Sequence, residues 1–354
     1  MGLFDNILKG NESLFLDEIA LDFDYIPKVL KHRENEQQYV ATCIKPLLQE
    51  RSGRNLFITG KPGIGKTTAI NWVLRELGQE TNDVYPIFIN CWKHDSTFKI
   101  VNYICEKLGY TFTHNKKTDE LMNNIASIIN KKAAVFVFDE VDKLQEPGII
   151  YNLFEEINKK TIILITNDEN YISELDPRIK SRLLLDSLIF KPYNFEETKS
   201  ILKERRDFAF AKNVWEEEAF ENVVKKSYEL KDIRTGLHLM KEAGVLAENS
   251  SSKKIKNEHT IKIIENLKAY KLKDSTELTE DQKITLSLVK ENSGKLIKEL
   301  HEIYEKRYGN ISYRTFFDRI KQLEKIGDVS TKTKEGPGNS TIVTYGTIKK
   351  LNEF

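Results

Sequence analysis

The sequence predicts an α/β fold in its first half, an all-helical segment after it, and a terminal domain of three helices and a hairpin. Between about residues 33 and 190, short apolar runs alternate with helical patterns. From about 194 to 272 the strand signal disappears, and apolar residues recur at helical spacing. After about 275, three helical segments precede two β-rich pieces around a glycine- and proline-rich tip.

Four runs in the first half are apolar almost throughout: "NLFITG", "VYPIFINC", "AAVFVFDE" and "TIILITND". Runs of this kind suit strands that are buried on both faces, as in a parallel sheet covered by helices. The chain has 354 residues, more than one compact core usually holds, so two or three domains are expected. We place the domain boundaries at 1–192, 193–273 and 274–354, with the N-terminal segment on the surface of the first domain.

The terminal domain shows a helix-rich half and a hairpin. "EDQKITLSLVKEN", "KLIKELHEIYEKRYG" and "SYRTFFDRIKQLEKIG" have the spacing of three helices. In "DVSTKTKEGPGNSTIVTYG" two β-rich pieces flank "EGPGNS", which predicts a hairpin. Three short helices followed by a hairpin are typical of a winged helix-turn-helix.

The amino-acid composition restricts the binding partners of the protein and the cellular compartment in which it is expected. The net charge is only +1, which excludes a long basic tail, so any nucleic-acid surface is local. The three cysteines show no metal or redox spacing, which favours free thiols in a reducing cytosol. The longest apolar runs are too short to span a bilayer, and the first residues show no secretory signal. We therefore expect a cytoplasmic protein with no membrane partner.

A glycine-rich segment follows the first apolar run. Gly60, Gly65, Lys66 and Thr67 have the phosphate-loop spacing of glycine, four residues, glycine, lysine and threonine. Glycines let backbone N–H groups surround phosphate oxygens, and the following helix turns its positive end toward the same anion. Lys66 is expected to reach the outer phosphates, and the Thr67 hydroxyl to ligate Mg²⁺. The candidate loop residues are Gly60, Lys61, Pro62, Gly63, Ile64, Gly65, Lys66, Thr67 and Thr68.

Two further strand ends carry polar groups, and an alternative exists for each motif. Asp139 ends a buried strand and is expected to hold Mg²⁺ through water, while Glu140 orients the attacking water. Asn167 ends another strand and could position the same water or a γ-phosphate oxygen. A chance lysine in a glycine-rich turn, a solvated acidic turn, and an ordinary turn-forming asparagine are the alternatives.

These segments resemble the AAA+ ATPases and, more narrowly, the archaeal origin-recognition initiators of the Orc/Cdc6 type. The resemblance covers nearly the whole chain and is carried by specific segments besides the phosphate loop and the acidic strand. They are "DYIPKVLKHRENEQ", "INCWKHDSTFKIVNYICEKLG", "LDPRIKSRLLLDSLIFKPYNFEETKSIL", "KDIRTGL" and the terminal winged helix. The resemblance implies an AAA+ core, a helical lid over 193–273, and ATP or ADP with Mg²⁺ as cofactors.

The resemblance also implies roles for individual residues around the nucleotide. Asn167 would be the first sensor, and Arg234 the second sensor, which reaches from the lid to the γ-phosphate. The family usually has a glycine where Lys231 stands. The residues implied near the adenine are Tyr25, Ile26, Pro27, His32 and Arg33. Tyr193 is implied near the nucleotide as well.

An arginine acting on a neighbouring subunit is a further implication. Arg182 falls on the position of the AAA+ arginine finger, and Arg178 is the second candidate. An exposed basic pair at a helix end is the alternative. Such a finger contributes about 10³–10⁵ to the rate of phosphoryl transfer. A lone subunit would therefore hold ATP and hydrolyse it slowly, as a switch, and self-association or pairing with paralogues on DNA is implied.

The third helix of the terminal domain is the expected recognition helix. Phe316, Ile320 and Leu323 recur at helical spacing and belong to a core, which leaves a polar face for the major groove. Arg314 and Arg319 are the expected base or phosphate contacts, and the hairpin tip could enter the minor groove. The candidate DNA-binding residues are Ser312, Tyr313, Arg314, Arg319, Lys332 and Lys334. The resemblance also implies a second contact from the core near Lys93 and Lys99, for which an ordinary solvated face is the alternative.

The sequence therefore predicts an ATP-dependent replication initiator that binds double-stranded origin DNA and helps recruit or load the replicative helicase. The order of modules, nucleotide core, lid and winged helix, supports this function. An alternative is an AAA+ signalling ATPase whose winged helix serves protein interaction. An ATPase accessory of a mobile element is another.

Overall fold

A computed structural model describes residues 13–23, 25–274, 280–326, 329–334 and 340–346. The chain separates into two compact units, Met1–Ile264 and Glu265–Phe354. The domain boundaries expected from the sequence stay predictions. Within the described residues, no helix combines the length and the apolar character needed to cross a membrane.

The first unit contains a five-stranded parallel sheet with the order β2-β3-β4-β1-β5. The four strands that the sequence indicated are present, and the α/β fold class is confirmed. The fifth is an edge strand whose residues are alternately half-buried and exposed, so it lacks the apolar run that marks the others. The strands are β1 (Leu56–Thr59), β2 (Val84–Asn90), β3 (Ala133–Asp139), β4 (Lys160–Ile165) and β5 (Asp186–Ile189).

Helices cover both faces of this sheet. They are α1 (Glu34–Ile44), α2 (Lys66–Glu80), α3 (Thr97–Lys107), α4 (Thr118–Ile129), α5 (Gly148–Glu156), α6 (Tyr171–Glu174) and α7 (Pro177–Leu183). Alternate strand residues belong to opposite cores: Phe136 and Phe138 pack with α3 and α4, whereas Val135 and Val137 pack with α1 and α2. This alternation follows the two-residue period of a strand, and it makes every residue of β3 buried.

The strand order brings three strand ends level with one another. β4 lies between β1 and β3, with Ile58 opposite Ile165 and Asp139 also opposite Ile165. The segments that leave these strands therefore start side by side at the carboxyl edge of the sheet, where open α/β sheets bind ligands.

A buried asparagine fixes the base of the phosphate-loop strand. The Asn55 side chain donates to the Leu183 carbonyl at 2.6 Å and accepts from the Ile162 N–H at 2.8 Å. It thereby joins β1, β4 and the end of α7. A buried amide with both groups bonded is stabilising, whereas one without partners is costly.

The helical part of the first unit follows β5. It contains α8 (Phe195–Ala209), α9 (Glu217–Leu230), α10 (Ile233–Asn249) and the first part of α11 (Asn257–Asp274). Asn194 and Glu197 form a reciprocal capping box at the start of α8. The helices pack around a core of their own, which includes Leu202, Phe220 and Met240.

Residues 14–21 of the N-terminal segment pack on these helices rather than on the sheet-containing core, where the sequence placed the whole segment. Leu14 and Leu21 are buried in the helical core, and the Phe15 ring lies 4.7 Å from the Phe210 ring. The N–H groups of Leu16 and Asp17 both donate to the Ala209 carbonyl. A short apolar segment without periodicity does not indicate which apolar surface will receive it, and the tertiary structure decides this.

The second unit contains the predicted three helices and hairpin, and its winged-helix fold is confirmed. The helices are α12 (Glu280–Glu291), α13 (Ile297–Tyr308) and α14 (Tyr313–Ile326), and the strands are β6 (Lys295–Leu296), β7 (Val329–Lys334) and β8 (Ser340–Tyr345). The strands form an antiparallel sheet with the order β6-β8-β7. Phe316, Ile320 and Leu323 are buried as expected. Residues 335–339, the hairpin tip expected in the minor groove, lie outside the described residues.

Candidate functional site

A cleft of about 870 Å³ extends over the carboxyl edge of the sheet and is closed on one side by the helical part of the same unit. Many of the residues that the sequence singled out line it together. They are Ile26, Pro27, Pro62, Gly63, Gly65, Lys66, Thr67, Thr68, Asp139, Glu140, Asn167, Tyr193 and Arg234. Segments that are far apart in the chain thus converge on one cavity, as the strand order requires.

The phosphate loop needs glycine at its close approaches. Gly63 has φ 72° and Gly65 has φ 87°, in the left-handed region that side chains disfavour. A Cβ at Gly63 would lie 1.8 Å from the Asp232 carboxylate, and one at Gly65 would lie 2.8 Å from the Tyr193 hydroxyl. Both positions therefore exclude a side chain for two reasons, backbone conformation and space.

Lys66 begins α2 and is buried, with 7 % of its surface exposed. Its ammonium donates to the carbonyls of Gly60 at 2.7 Å and Lys61 at 2.9 Å, and to Asn167 Oδ1 at 2.7 Å. Burial lowers the pKa of Lys66 to about 8, and the nearby Asp139 charge opposes that shift. All three N–H groups of the ammonium are thus donated in this structure, and a phosphate bound at the glycine loop would replace at least one of these oxygen partners.

Asp139 and Thr67 supply two adjacent oxygen atoms. The Thr67 hydroxyl donates to Asp139 Oδ2 at 2.9 Å, and Asp139 is 5 % exposed. Burial raises the pKa of Asp139, and the Thr67 hydrogen bond opposes that shift. A Thr67 hydroxyl that donates its proton to Asp139 keeps its oxygen lone pairs for Mg²⁺, a cation that prefers oxygen ligands. The pair therefore fits Mg²⁺, which Thr67 would ligate directly and Asp139 would hold through a metal-bound water.

Glu140 follows Asp139 in a left-handed backbone conformation, with φ 54°. This turn ends β3, and Glu140 lines the cleft beside Asp139. Burial, and then the Asp139 charge, raise the pKa of Glu140. A carboxylate with a raised proton affinity at the edge of the cavity is suited to accept a proton from water.

The lid meets the phosphate loop directly through the start of α10. The Ile233 N–H donates to the Gly63 carbonyl at 3.1 Å, and Asp232 caps the helix by accepting from the Arg234 N–H at 2.8 Å. Arg234 lines the cleft. Lys231, where the family usually has glycine, ends α9 in a left-handed conformation with φ 53°. The turn that presents Arg234 therefore forms with lysine.

The other residues implied near the nucleotide divide into two groups. Ile26 and Pro27 line the cleft, whereas Tyr25, His32 and Arg33 are outside its lining. Gly60, Lys61 and Ile64 shape the loop from outside the lining as well. Nucleotide contacts stay predictions for these six residues and for the candidates that line the cleft.

Arg33 contributes to the architecture behind the cleft. Its guanidinium donates to the carbonyls of Ile64 at 2.9 Å and Lys191 at 2.7 Å, and it pairs with Glu36. It also lies 3.9 Å from the centre of the Tyr193 ring. Arg33 therefore fastens α1 to the phosphate loop and to the segment after β5.

Sequence reasoning missed Arg205, which is buried and lines the same cleft. The available signal was its position in α8. Arg205 lies three residues after Leu202 and four before Ala209, both of which are fully buried. A charged residue at helical spacing within an apolar stripe indicates a buried interaction.

The two arginine-finger candidates lie on α7, away from the cleft of their own chain. Both Arg178 and Arg182 are exposed, and Arg182 forms a 3.7 Å ion pair with Glu155. An exposed position is compatible with an action on a neighbouring subunit. That role stays a prediction for both residues.

The candidate DNA-binding residues differ in their environment. Ser312 Oγ accepts from the Thr315 N–H at 3.1 Å, and Tyr313, Arg314 and Lys332 are exposed. Arg319 is only 18 % exposed, because its guanidinium donates to the Tyr304 hydroxyl at 2.9 Å and pairs with Asp281. The side chain of Lys334 lies outside the described residues.

The second DNA contact expected from the core involves two lysines in different settings. Lys93 lines the cleft, whereas Lys99 is on α3 and pairs with Asp95 at 2.8 Å. Among the described residues, no hydrogen bond or ion pair links Lys93 to Lys99. A role of either in DNA binding stays a prediction.

Two family models match parts of the chain. Residues 49–169 match the AAA domain, and residues 199–263 match the Cdc6 AAA+ ATPase-type lid domain. The first span contains the phosphate loop, the acidic strand and Asn167. The second contains Arg205 and Arg234.

Relatives with curated names support the same grouping. An ORC1-type DNA replication protein of Pyrococcus furiosus is 30% identical over 75% of this chain and 68% of its own length. ORC1-type DNA replication protein 1 of Archaeoglobus fulgidus is 27% identical over 100% of this chain and 90% of its own length. Among solved structures, Aeropyrum pernix ORC1 in complex with DNA has a TM-score of 0.73 at 24% identity, covering 95% of this chain and 94% of that chain.

Proposed function

The chain belongs to the family of ORC1-type DNA replication proteins, and from this premise we propose that it is an ATP-dependent initiator of DNA replication. It binds double-stranded origin DNA in the cytoplasm and helps to recruit or load the replicative helicase. The observation that carries the proposal is the convergence of Lys66, Thr67, Asp139, Glu140 and Asn167 in one cleft beside the lid.

The cleft residues divide the work of binding and hydrolysing ATP. Lys66 and the loop N–H groups bind the outer phosphates, the Thr67 hydroxyl ligates Mg²⁺, and the Asp139 carboxylate holds the metal through water. The metal, when bound, neutralises charge on the transferred phosphoryl group. Glu140 orients the attacking water and accepts its proton, and Asn167 fixes the position of that water.

Hydrolysis acts as a switch because the lid is built into the site. Arg234 reaches the cleft from α10, while Ile233 is bonded to Gly63 of the phosphate loop. A triphosphate that contacts both parts fixes their relative position, and loss of the γ-phosphate releases it. Arg182 or Arg178 acts on a neighbouring copy or paralogue, so an isolated chain turns over slowly.

The winged helix supplies the DNA contact in this proposal. Arg314 is exposed near the start of α14, where a recognition helix meets base edges. Ser312 and Tyr313 directly precede it, and Lys332 is exposed on the hairpin. The A. pernix ORC1 structure, which contains DNA, supports a DNA partner for this chain by analogy.

The test is binding to duplex DNA from the predicted origin of the source genome, over a range of salt concentrations, with and without ATP. Each phosphate neutralised contributes about −0.9 to the slope of log K against log salt. We expect this slope to be about −3 or more negative, and we expect binding to be tighter in the presence of ATP.

Matched variants separate this function from a protein-interaction ATPase. Arg314→Ala is expected to weaken binding and reduce the salt slope by about 1. The control Arg75→Ala removes an exposed arginine from α2 of the other unit and leaves the slope unchanged. A slope near zero for the unmodified protein favours the signalling alternative.

A further inference from the structure

The chain crosses from the lid to the core in a short segment beside the cleft, residues 25–33, which we call the entry strap. We propose that Arg205 of α8 is a positioning residue that holds the entry strap so that Ile26 and Pro27 form the wall that receives the nucleotide base. This inference rests on the proposed ATP site and assigns a role to a residue outside the phosphate loop, the acidic strand and the sensors.

Arg205 makes three contacts, two of them with Tyr25 at the beginning of the strap and one with Ala20 before it. Its guanidinium donates to the Ala20 carbonyl at 2.9 Å and to the Tyr25 carbonyl at 3.0 Å. The same group lies 4.5 Å from the centre of the Tyr25 ring. A planar fork that bonds two carbonyls and stacks on a ring fixes the backbone immediately before Ile26.

The burial of Arg205 makes these contacts strong. Arg205 is 8 % exposed, and burial lowers the pKa of its guanidinium. Among the residues that the structure describes, no carboxylate forms an ion pair with it. The two carbonyls and the ring are therefore the groups that compensate a desolvated charge, and displacement of the strap would leave that charge without them.

The far end of the strap is fastened to the core. Arg33 donates to the carbonyls of Ile64 and Lys191, and the Trp72 indole N–H donates to the Lys28 carbonyl at 3.2 Å. The strap is thus held by the lid at one end and by the phosphate-loop side at the other. Ile26 and Pro27, two of the five strap residues that line the cleft, lie between the anchored carbonyls of Tyr25 and Lys28.

A second tie between α8 and the strap is weaker. Glu204 pairs with Lys31 at 3.0 Å, but the two side chains are 21% and 49% exposed. Pairs that are exposed to this extent contribute little, because water screens them. Arg205 is consequently the residue through which α8 sets the position of the wall.

Loss of the Arg205 contacts should affect the binding of the nucleotide base and leave the binding of the phosphates unchanged. The phosphate loop, Lys66 and Asp139 have no contact with Arg205 among the hydrogen bonds of the described residues. Loss of the Arg205 contacts should therefore weaken the contribution of the base to affinity while the phosphate contribution persists. Merely destabilising the lid would instead reduce both.

The experiment uses the full-length protein and a fluorescent ATP analogue displaced by ATP or by tripolyphosphate, which has no base. Arg205→Lys keeps the charge and loses the fork between two carbonyls, and Arg205→Met keeps the apolar stem alone. We expect ATP to bind about ten-fold more weakly to both variants while tripolyphosphate changes by less than about two-fold.

The control is Arg206→Lys, which changes the neighbouring arginine. In the unmodified protein the Arg206 guanidinium lies 4.3 Å from the centre of the Phe220 ring, outside the cleft lining. It should bind both ligands as the unmodified protein does. Equal losses for ATP and tripolyphosphate, or no loss for either, in the Arg205 variants would overturn the inference. An unmodified protein that binds neither ligand would instead overturn the proposed function.

Discussion

The nucleotide cleft and the surface of α14 present polar groups in opposite ways. In the cleft, Lys66 and Asp139 are buried, and segments from three neighbouring strands converge on one cavity. On α14, Arg314 is exposed, whereas Arg319 is bonded inside its own unit. Two arginines that are equivalent in the sequence pattern therefore have different environments.

This difference has a physical origin. A buried charge needs specific partners, so the partners that are present define the ligand chemistry of the site. An exposed arginine is solvated and carries little information about what binds it. The cleft consequently indicates its ligand class from geometry, while the DNA surface needs binding measurements.

Glu140→Gln should have the largest effect, since it removes the proposed base without changing the shape of the cleft. Single-turnover hydrolysis is expected to fall by about 100- to 10,000-fold while ATP binding persists. Asp142→Asn is the control, because this carboxylate lies outside the cleft lining and accepts from the Thr166 hydroxyl at 2.7 Å. Normal turnover by the Glu140→Gln variant would remove Glu140 from the mechanism.

Lys66→Ala tests the buried charge of the cleft. Truncating one member of a buried charged contact costs about 2–5 kcal/mol. The affinity for ATP, measured by calorimetry, should fall by the corresponding factor of about 30 to 4,000. Arg75→Ala, an exposed arginine on the same helix, should leave the affinity unchanged. Equal affinities of the two variants would contradict the phosphate role of Lys66.

Replacing each of the two α14 arginines sharpens the comparison further. Arg319→Ala should lower the free energy of unfolding of the C-terminal unit by about 1–3 kcal/mol, because the Tyr304 hydroxyl and Asp281 lose their partner. Arg314→Ala should change that free energy by less than about 0.5 kcal/mol. It should weaken DNA binding by about 1–3 kcal/mol.

Thermal unfolding and DNA titration of the two proteins check this pair. A loss of DNA affinity in the Arg319 variant that equals the loss in the Arg314 variant would contradict this difference, and would indicate that Arg319 leaves its internal partners when DNA binds.

Lys231→Gly should have the smallest effect. Lys231 has φ 53°, which disfavours a side chain, so glycine relieves strain but adds freedom to the unfolded chain. We expect unfolding to cost up to about 1 kcal/mol more. Lys225→Gly, at an exposed position inside α9, should instead reduce stability by about 1 kcal/mol. A loss in the Lys231 variant would indicate that the lysine side chain makes a stabilising contact.

Much of the fold followed from local patterns. The runs that became β1 to β4 are apolar because both sheet faces are covered, and the phosphate-loop spacing identified the turn between β1 and α2. β5 and β6 were missed, since one is a half-exposed edge strand and the other has only two residues. Short strands with mixed exposure lack the periodicity on which sequence reasoning depends.

By itself, the sequence determined the types of residue that the cleft contains, because phosphate binding requires glycines, a lysine and carboxylates at fixed local spacing. Only the tertiary structure decided that Asn167 contacts Lys66, that Arg319 is held by Tyr304, and that Arg205 binds the chain before Ile26. Those partners are distant in the chain, and strand order and helix packing, rather than local periodicity, bring them together.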